Sequence, residues 1–215
     1  PLAAQEPYRQ SREDAWWPGP ILAAGAATLA KGHWLVEPYV FNIKSRGRYD
    51  DDGTRRSGPS RNHYGSLTYV LYGLADGFTV GMIPRFGYND VSTGPDGSGV
   101  GLGDLTVQGT LRLSQFREGA RVPTSSLVLE QVLPTGKYDR LGSRPSDGLG
   151  SGAYTTRLSL NSQYFLWMPN GRILRTRLNL TQTFSDTVSI EGVSVYGTGE
   201  GFRGHAKPGR SFSID

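Results

Sequence analysis

The sequence predicts an all-β protein, specifically an antiparallel up-and-down transmembrane β-barrel. Three observations lead there. The first is a pair of long alternating arms in the hairpin 153–184. Leu158, Leu160, Tyr164 and Leu166 alternate with Arg157, Ser159, Asn161 and Gln163, and Leu174, Thr176, Leu178, Leu180 and Phe184 alternate with Arg175, Arg177, Asn179, Thr181 and Thr183. A period of two is the strand period, because successive side chains leave opposite faces. The second is length. These arms exceed the usual strand of ~5–6 residues and reach the ~9–11 residues that a tilted strand needs to cross a bilayer. The third is the connections, in which short turns (75–77, 115–123, 169–171) alternate with longer segments (44–64, 90–103, 134–152, 197–210). Short turns on one rim and long loops on the other are the organisation of an outer-membrane barrel.

Composition agrees without deciding. The 215 residues allow one large all-β domain or two small ones. Hydrophobic residues make up 36% and mean hydropathy is −0.41, values that look soluble. Barrel strands escape hydropathy analysis because every second residue is polar. The 30 Gly and 11 Tyr suit turns and interfacial rings, and the absence of Cys removes disulfides and thiolate chemistry. A net charge of +4 is spread through loops and strands rather than gathered into a patch, which argues against nucleic acid as a partner.

Taken in order, residues 1–30 read as an irregular N-terminal arm and 31–215 as the barrel. Leu2-Ala3-Ala4 could be the tail of a cleaved signal peptide, and Trp16-Trp17-Pro18 could rest at an interface or cap the core. His33–Ile43 is the first strand, with Glu37 expected inside. Residues 44–64 read as a charged loop whose Asp50-Asp51-Asp52 lacks the alternating ligand spacing of a calcium loop. Leu67–Leu74 and Phe78–Asn89 follow, the latter with Phe78, Val80, Met82, Phe86 and Tyr88 on one face. Gly99–Gly103 is no phosphate cradle, since it precedes a strand rather than a helix. Asp104–Ser114 and Thr124–Leu133 alternate cleanly. Pro169-Asn170-Gly171 closes the central hairpin, Thr187–Tyr196 reads as another strand, and Ser211–Ile214 starts one more. The total is about eight strands plus that stub, too few for closure by this count, so the barrel is expected to be truncated at the C-terminus.

Energy assigns the faces. Arginine on the lipid face at mid-membrane costs ~2–4 kcal/mol. Arg85, Arg112, Arg157, Arg175 and Arg177 all fall on the polar alternate of their strands, and Glu130 and Glu191 join them. These seven are expected in the lumen, and Leu105, Leu111, Leu158, Leu160, Leu178 and Leu180 against lipid. Such an interior is either salt-bridged and plugged or a narrow arginine-lined pore.

Several words in this order resemble a family of bacterial outer-membrane proteins named for a MetA pathway of phenol degradation. They are Lys31-Gly32-His33 with Glu37-Pro38-Tyr39, Tyr72-Gly73-Leu74-Ala75-Asp76, Ile83-Pro84, Gly87-Tyr88-Asn89, Gly101-Leu102-Gly103-Asp104-Leu105 and Leu133-Pro134-Thr135-Gly136-Lys137-Tyr138. The resemblance implies a Gram-negative outer-membrane barrel linked to uptake of aromatic or other small apolar compounds. It carries over no catalytic residues. Members resemble one another in closing on a strand with a terminal aromatic, whereas this chain ends at Asp215.

The expected function is a channel or passive transporter for small solutes. The alternatives are a structural or anchoring barrel with a plugged lumen, and a soluble β-barrel binding module with the leucines packed inward. His33, His63 and His205 lack partners at metal-ligand spacing, so neither metal nor cofactor is expected. No nucleophile, base and orienting group stand out, so an enzyme is not expected. The expected partners are outer-membrane lipid and a solute the sequence does not name, with neighbouring chains as one route to closure.

Overall fold

The computed structural model describes residues 9–15 and 23–215. The expectations placed on Leu2-Ala3-Ala4 and on Trp16-Trp17-Pro18 lie outside the described residues. Among the described residues there is no α-helix. The strands are β1 (Trp34–Tyr49), β2 (Arg55–Ala75), β3 (Phe78–Ile83), β4 (Arg85–Val91), β5 (Gly101–Leu102), β6 (Leu105–Ser114), β7 (Thr124–Leu133), β8 (Thr155–Trp167), β9 (Ile173–Ser185), β10 (Val188–Glu191), β11 (Arg203–Ala206) and β12 (Arg210–Ile214). Ten of them form one antiparallel sheet, and β10 with β11 forms a second, two-stranded one.

The main sheet is a meander in chain order. β3 and β4 run along the same edge of β2 and are separated by Pro84, which has no N–H to give the ladder. β5 and β6 are likewise halves of one path, broken at Gly103-Asp104. With each interrupted pair taken as a single pass, the sheet has eight passes, bounded by β1 and β12. Among the described residues no strand joins β1 to β12, so the sheet is open along that seam.

Two expectations are corrected. The charged segment 44–64 is mostly strand. Lys44 pairs with Asn62 and Tyr49 with Arg55, so β1 and β2 continue past their neighbours as a long hairpin. Both its faces meet solvent, so it lacks the apolar alternation that marks a strand in sequence, yet cross-strand backbone hydrogen bonds still form. Thr187–Tyr196 is not a pass of the main sheet. Only Val188–Glu191 is extended, and it pairs with Arg203–Ala206. Its neat alternation serves a small cluster in which Val188 and Ile190 pack with Ala153.

Burial is inverted relative to a water-soluble sheet. On β7 and β8, Ser126 is fully buried and Asn161 only 4% exposed, while Leu129 is 53% exposed, Leu158 43% and Leu160 41%. The same holds elsewhere: Thr79, Thr106 and Thr110 are buried while Met82 and Leu111 are exposed. The polar face is the inner one because the sheet curls. Residues from β1 (Phe41), β4 (Arg85), β7 (Val132), β8 (Arg157) and β9 (Thr183) line one common cavity. A flat meander would hold β1 and β9 many ~4.8 Å strand spacings apart.

Candidate functional site: a polar interior crossed by an arm and roofed by a loop

Seven of the charged residues singled out in the sequence, Glu37 among them, share the inner face. Arg157 on β8 meets Glu130 on the adjacent β7 at 3.4 Å. Tyr69 on β2 lies in the field of Glu130, Arg85, Glu37 and Arg157, so charges from four strands converge on it. Glu37 accepts a hydrogen bond from the Tyr39 hydroxyl at 2.6 Å. Arg112 lies beside the Gly77 turn. Arg175 and Arg177 lie on β9, opposite Phe165 and Gln163. Glu191 is elsewhere, in the two-stranded sheet, where Arg140 (2.5 Å) and Arg203 (3.1 Å) grip it. The hydrogen bond from Arg140 holds the Glu191 carboxyl below its usual range.

The six leucines share the opposite face. Leu111, Leu158, Leu160 and Leu178 are exposed. Leu105 and Leu180 are half-buried, Leu105 paired with Leu133 and Leu180 flanked by Leu160 and Ile214.

Two segments occupy the inner face. The first is the arm 23–33. The Arg177 guanidinium donates to the Ala23 carbonyl at 3.0 Å, Ala26 is fully buried, and the Leu29 N–H donates to Thr79 Oγ1 at 2.8 Å. The arm therefore runs from β9 across to β3, near the short-turn rim. Gly73 makes this path available: a Cβ there would collide with the Ala30 carbonyl oxygen, a backbone atom that cannot swing away. Further out, Gln10 is held at the 168–172 turn, its N–H donating to the Gly171 carbonyl at 2.9 Å and its own carbonyl accepting from Trp167 Nε1 at 2.9 Å. Arg9 pairs with Glu118 at 2.6 Å and stacks over the Trp167 ring.

The second segment is the loop 134–154 at the opposite rim. Its base is clasped by Asp104, whose Oδ1 accepts from the Gly136 N–H (3.0 Å) and whose Oδ2 accepts from the Ser151 N–H and hydroxyl (2.7 Å each). Its tip is held by Asn89, which is fully buried. Asn89 Nδ2 donates to the Ser146 carbonyl at 2.7 Å, while Oδ1 faces His63 Nδ1 at 2.9 Å and accepts from Arg61 Nε at 3.2 Å. An acceptor at that distance makes Nδ1 the protonated ring nitrogen of His63. Asp147, next to the tip, accepts from the Ser98 N–H at 2.6 Å, and that bond holds its carboxyl below the usual range.

Between arm and loop lies a cavity of about 360 Å³. Its wall mixes His63, Arg85, Asp104 and Arg157 with Phe41, Leu67 and Leu149. Sequence reading missed His63, Asn89, Asp104 and Leu149. His63 and Asn89 lie at inner positions of β2 and β4; strand parity would have placed His63 had 44–64 been read as a strand, and it already set Asn89 opposite Phe86 and Tyr88 without telling what it meets. Asp104 stands in a Gly-rich word that gave no hint of its partners more than thirty residues on. Among the described residues no group of three or more His, Asp or Glu is arranged to hold a metal ion.

An antiparallel meander that buries hydroxyls and amides, half-buries arginines on the same face and exposes leucine is an all-β architecture compatible with an outer-membrane β-barrel. Residues 31–205 match the family model described as "Putative MetA-pathway of phenol degradation", and the chain belongs to that family. No curated protein matches the chain.

Asn89→Leu leaves the Ser146 carbonyl and His63 unpaired, at a cost of about 1–3 kcal/mol. Limited trypsinolysis of folded protein, read by mass spectrometry, should then cut faster after Arg140 and Arg144 while the sheet survives. An unchanged cleavage rate would show that Asn89 does not hold the loop.

Proposed function

We propose that the protein is an outer-membrane barrel that passes small solutes through its polar interior. One observation carries the reading: the inverted burial, with polar side chains packed inside and leucines left facing out on β6 to β9. In water such a face would be an unusually large exposed apolar patch. In lipid it is the face that belongs there, and Arg85, Arg112, Glu130, Arg157, Arg175 and Arg177 become lumen residues. An unpaired strand edge is not tolerated in hydrocarbon. In the membrane the β1 and β12 edges are therefore covered, by each other, by further strands of the protein or by strands from another copy. The family's link to phenol degradation supports aromatic or other small apolar solutes as the cargo.

The arm favours a second reading, a plugged barrel that anchors or assembles other components. Residues 23–30 lie across the inner face and are held from β9 to β3.

Folding separates both readings from a soluble binding module. The protein should fold only with detergent or lipid, seen as β-type circular dichroism and heat-modifiable gel mobility. Folding in plain buffer would overturn the membrane reading. Leu160→Arg places a charge mid-sheet on the outer face, at about 2–4 kcal/mol, and should sharply reduce the yield of heat-modifiable protein. Intact assembly of that variant would reverse the assignment of faces. Gly73→Ala separates channel from plug, because a Cβ there displaces the arm. In planar bilayers, conductance in the native protein supports passage. A silent native protein that conducts only as Gly73→Ala supports the plug.

A further inference from the structure

The interior cations are not equally satisfied. Arg157 has Glu130, and Arg177 donates to the Ala23 carbonyl. Arg85 differs. Among the described residues no hydrogen bond or ion pair reaches any nitrogen of its guanidinium, whereas the buried, unpartnered Nε is a feature it shares with Arg177. The nearby carboxylate on the wall, Asp104, already accepts from Gly136 and Ser151 with both oxygens. Arg85 lines the cavity, and an anion that reached its guanidinium there would supply the charge-assisted acceptor that the protein itself does not.

The surroundings of Arg85 narrow the anion. The cavity of about 360 Å³ lies at the small end of the range for ligand pockets, ~300–1,000 Å³. Phe41, Leu67, Val132 and Leu149 supply apolar wall. Arg85 is the guanidinium on this wall with no carboxylate hydrogen-bonded to it, so a single ligand carboxylate is its complement, and the apolar wall calls for a body that water does not hold strongly.

We propose that this cavity recognises a small organic monoanion, a carboxylate carried on a compact apolar body. Arg85 receives the carboxylate, bidentately where the guanidinium fork allows. Phe41 and Leu149 receive the body. Leu149 comes from the loop that Asn89 and Asp104 fix in place, so the loop forms one wall of the site rather than a simple cover. This assignment rests on the reading of the interior as a solute path and names the solute that the path would select.

The test is calorimetric titration of the full chain, folded in detergent, with benzoate as the probe. Benzyl alcohol keeps the ring and removes the charge, acetate keeps the charge and removes the ring, and sulfate is an inorganic anion. Benzoate should bind about tenfold or more tighter than each of the three, the ratio expected of one charge-assisted hydrogen bond or of one buried apolar body. Arg85→Gln should bring benzoate to the level of benzyl alcohol. Arg85→Lys keeps the charge and loses the fork, so it should weaken benzoate several-fold and keep the preference for the anion. Should Arg85→Gln fail to give heat-modifiable protein, the lysine variant decides alone: unchanged benzoate affinity in it overturns the role of the guanidinium. No detectable benzoate binding, equal binding of benzoate and benzyl alcohol, or acetate or sulfate binding as tightly as benzoate would each overturn the proposal. Binding is read without conductance. A conducting protein that ignores benzoate defeats this inference alone, and a protein that folds without detergent defeats the membrane reading while leaving the titration valid.

Discussion

The structure depends on keeping buried polar groups paired. A sheet that turns its hydroxyls and amides inward must give each a partner or lose about 1–3 kcal/mol for each one left bare. Much of this is done across strands on the inner face. Ser159 and Thr181 share a hydrogen bond at 2.8 Å, Thr155 and Ser185 at 2.9 Å, and Glu130 holds Arg157. Where the strands do not suffice, the chain lays extra backbone over the face: the arm brings carbonyls and N–H groups to Arg177, Gln163 and Thr79. The buried oxygens of Thr106 and Ser126 still lack partners, so pairing is extensive without being complete.

Four of the short sequence words that resemble the family meet in two pairs. Lys31-Gly32-His33 lies against Tyr72–Asp76. Gly32 and His33 exchange backbone hydrogen bonds with Gly73, and Asp76 accepts from the Lys31 N–H at 3.2 Å. Gly101–Leu105 lies against Leu133–Tyr138. Thr135 Oγ1 accepts from the Leu105 N–H and donates to the Gly103 carbonyl, both at 2.9 Å, while Asp104 takes the Gly136 N–H. One clasp fixes the end of the arm where it enters β1, and the other fixes the base of the loop where it leaves β7. The words are thus the attachments of the two segments that shape the interior.

Those attachments lie at opposite rims, so the interior is not uniform along its length. Near the short turns the arm lies on the polar face, held by Arg177, Gln163 and Thr79. Nearer the long loops the space opens into the cavity beside Arg85, under the loop that Asn89 and Asp104 hold. The interior thus has an occupied half and a hollow half.

Alternation alone determined the antiparallel meander and the partition of its residues between two faces. Side chains at i and i+2 share a face wherever the strand runs unbroken, so Arg85, Arg112, Glu130, Arg157, Arg175 and Arg177 could be grouped, and the six leucines opposed to them, with no knowledge of register. The same rule failed where its assumption failed. The hairpin at 44–60 has no dry face and so carries no signal, and at Glu191 a real alternation belongs to a different, smaller sheet. The curl of the sheet, the course of the arm and the docking of the loop were decided only in three dimensions. They rest on single hydrogen bonds between residues far apart in the chain, such as Asn89 with Ser146 and Thr79 with Leu29, and on one glycine that leaves room for a carbonyl. A local period cannot encode such partners, because it fixes which way a side chain points and not what it meets there.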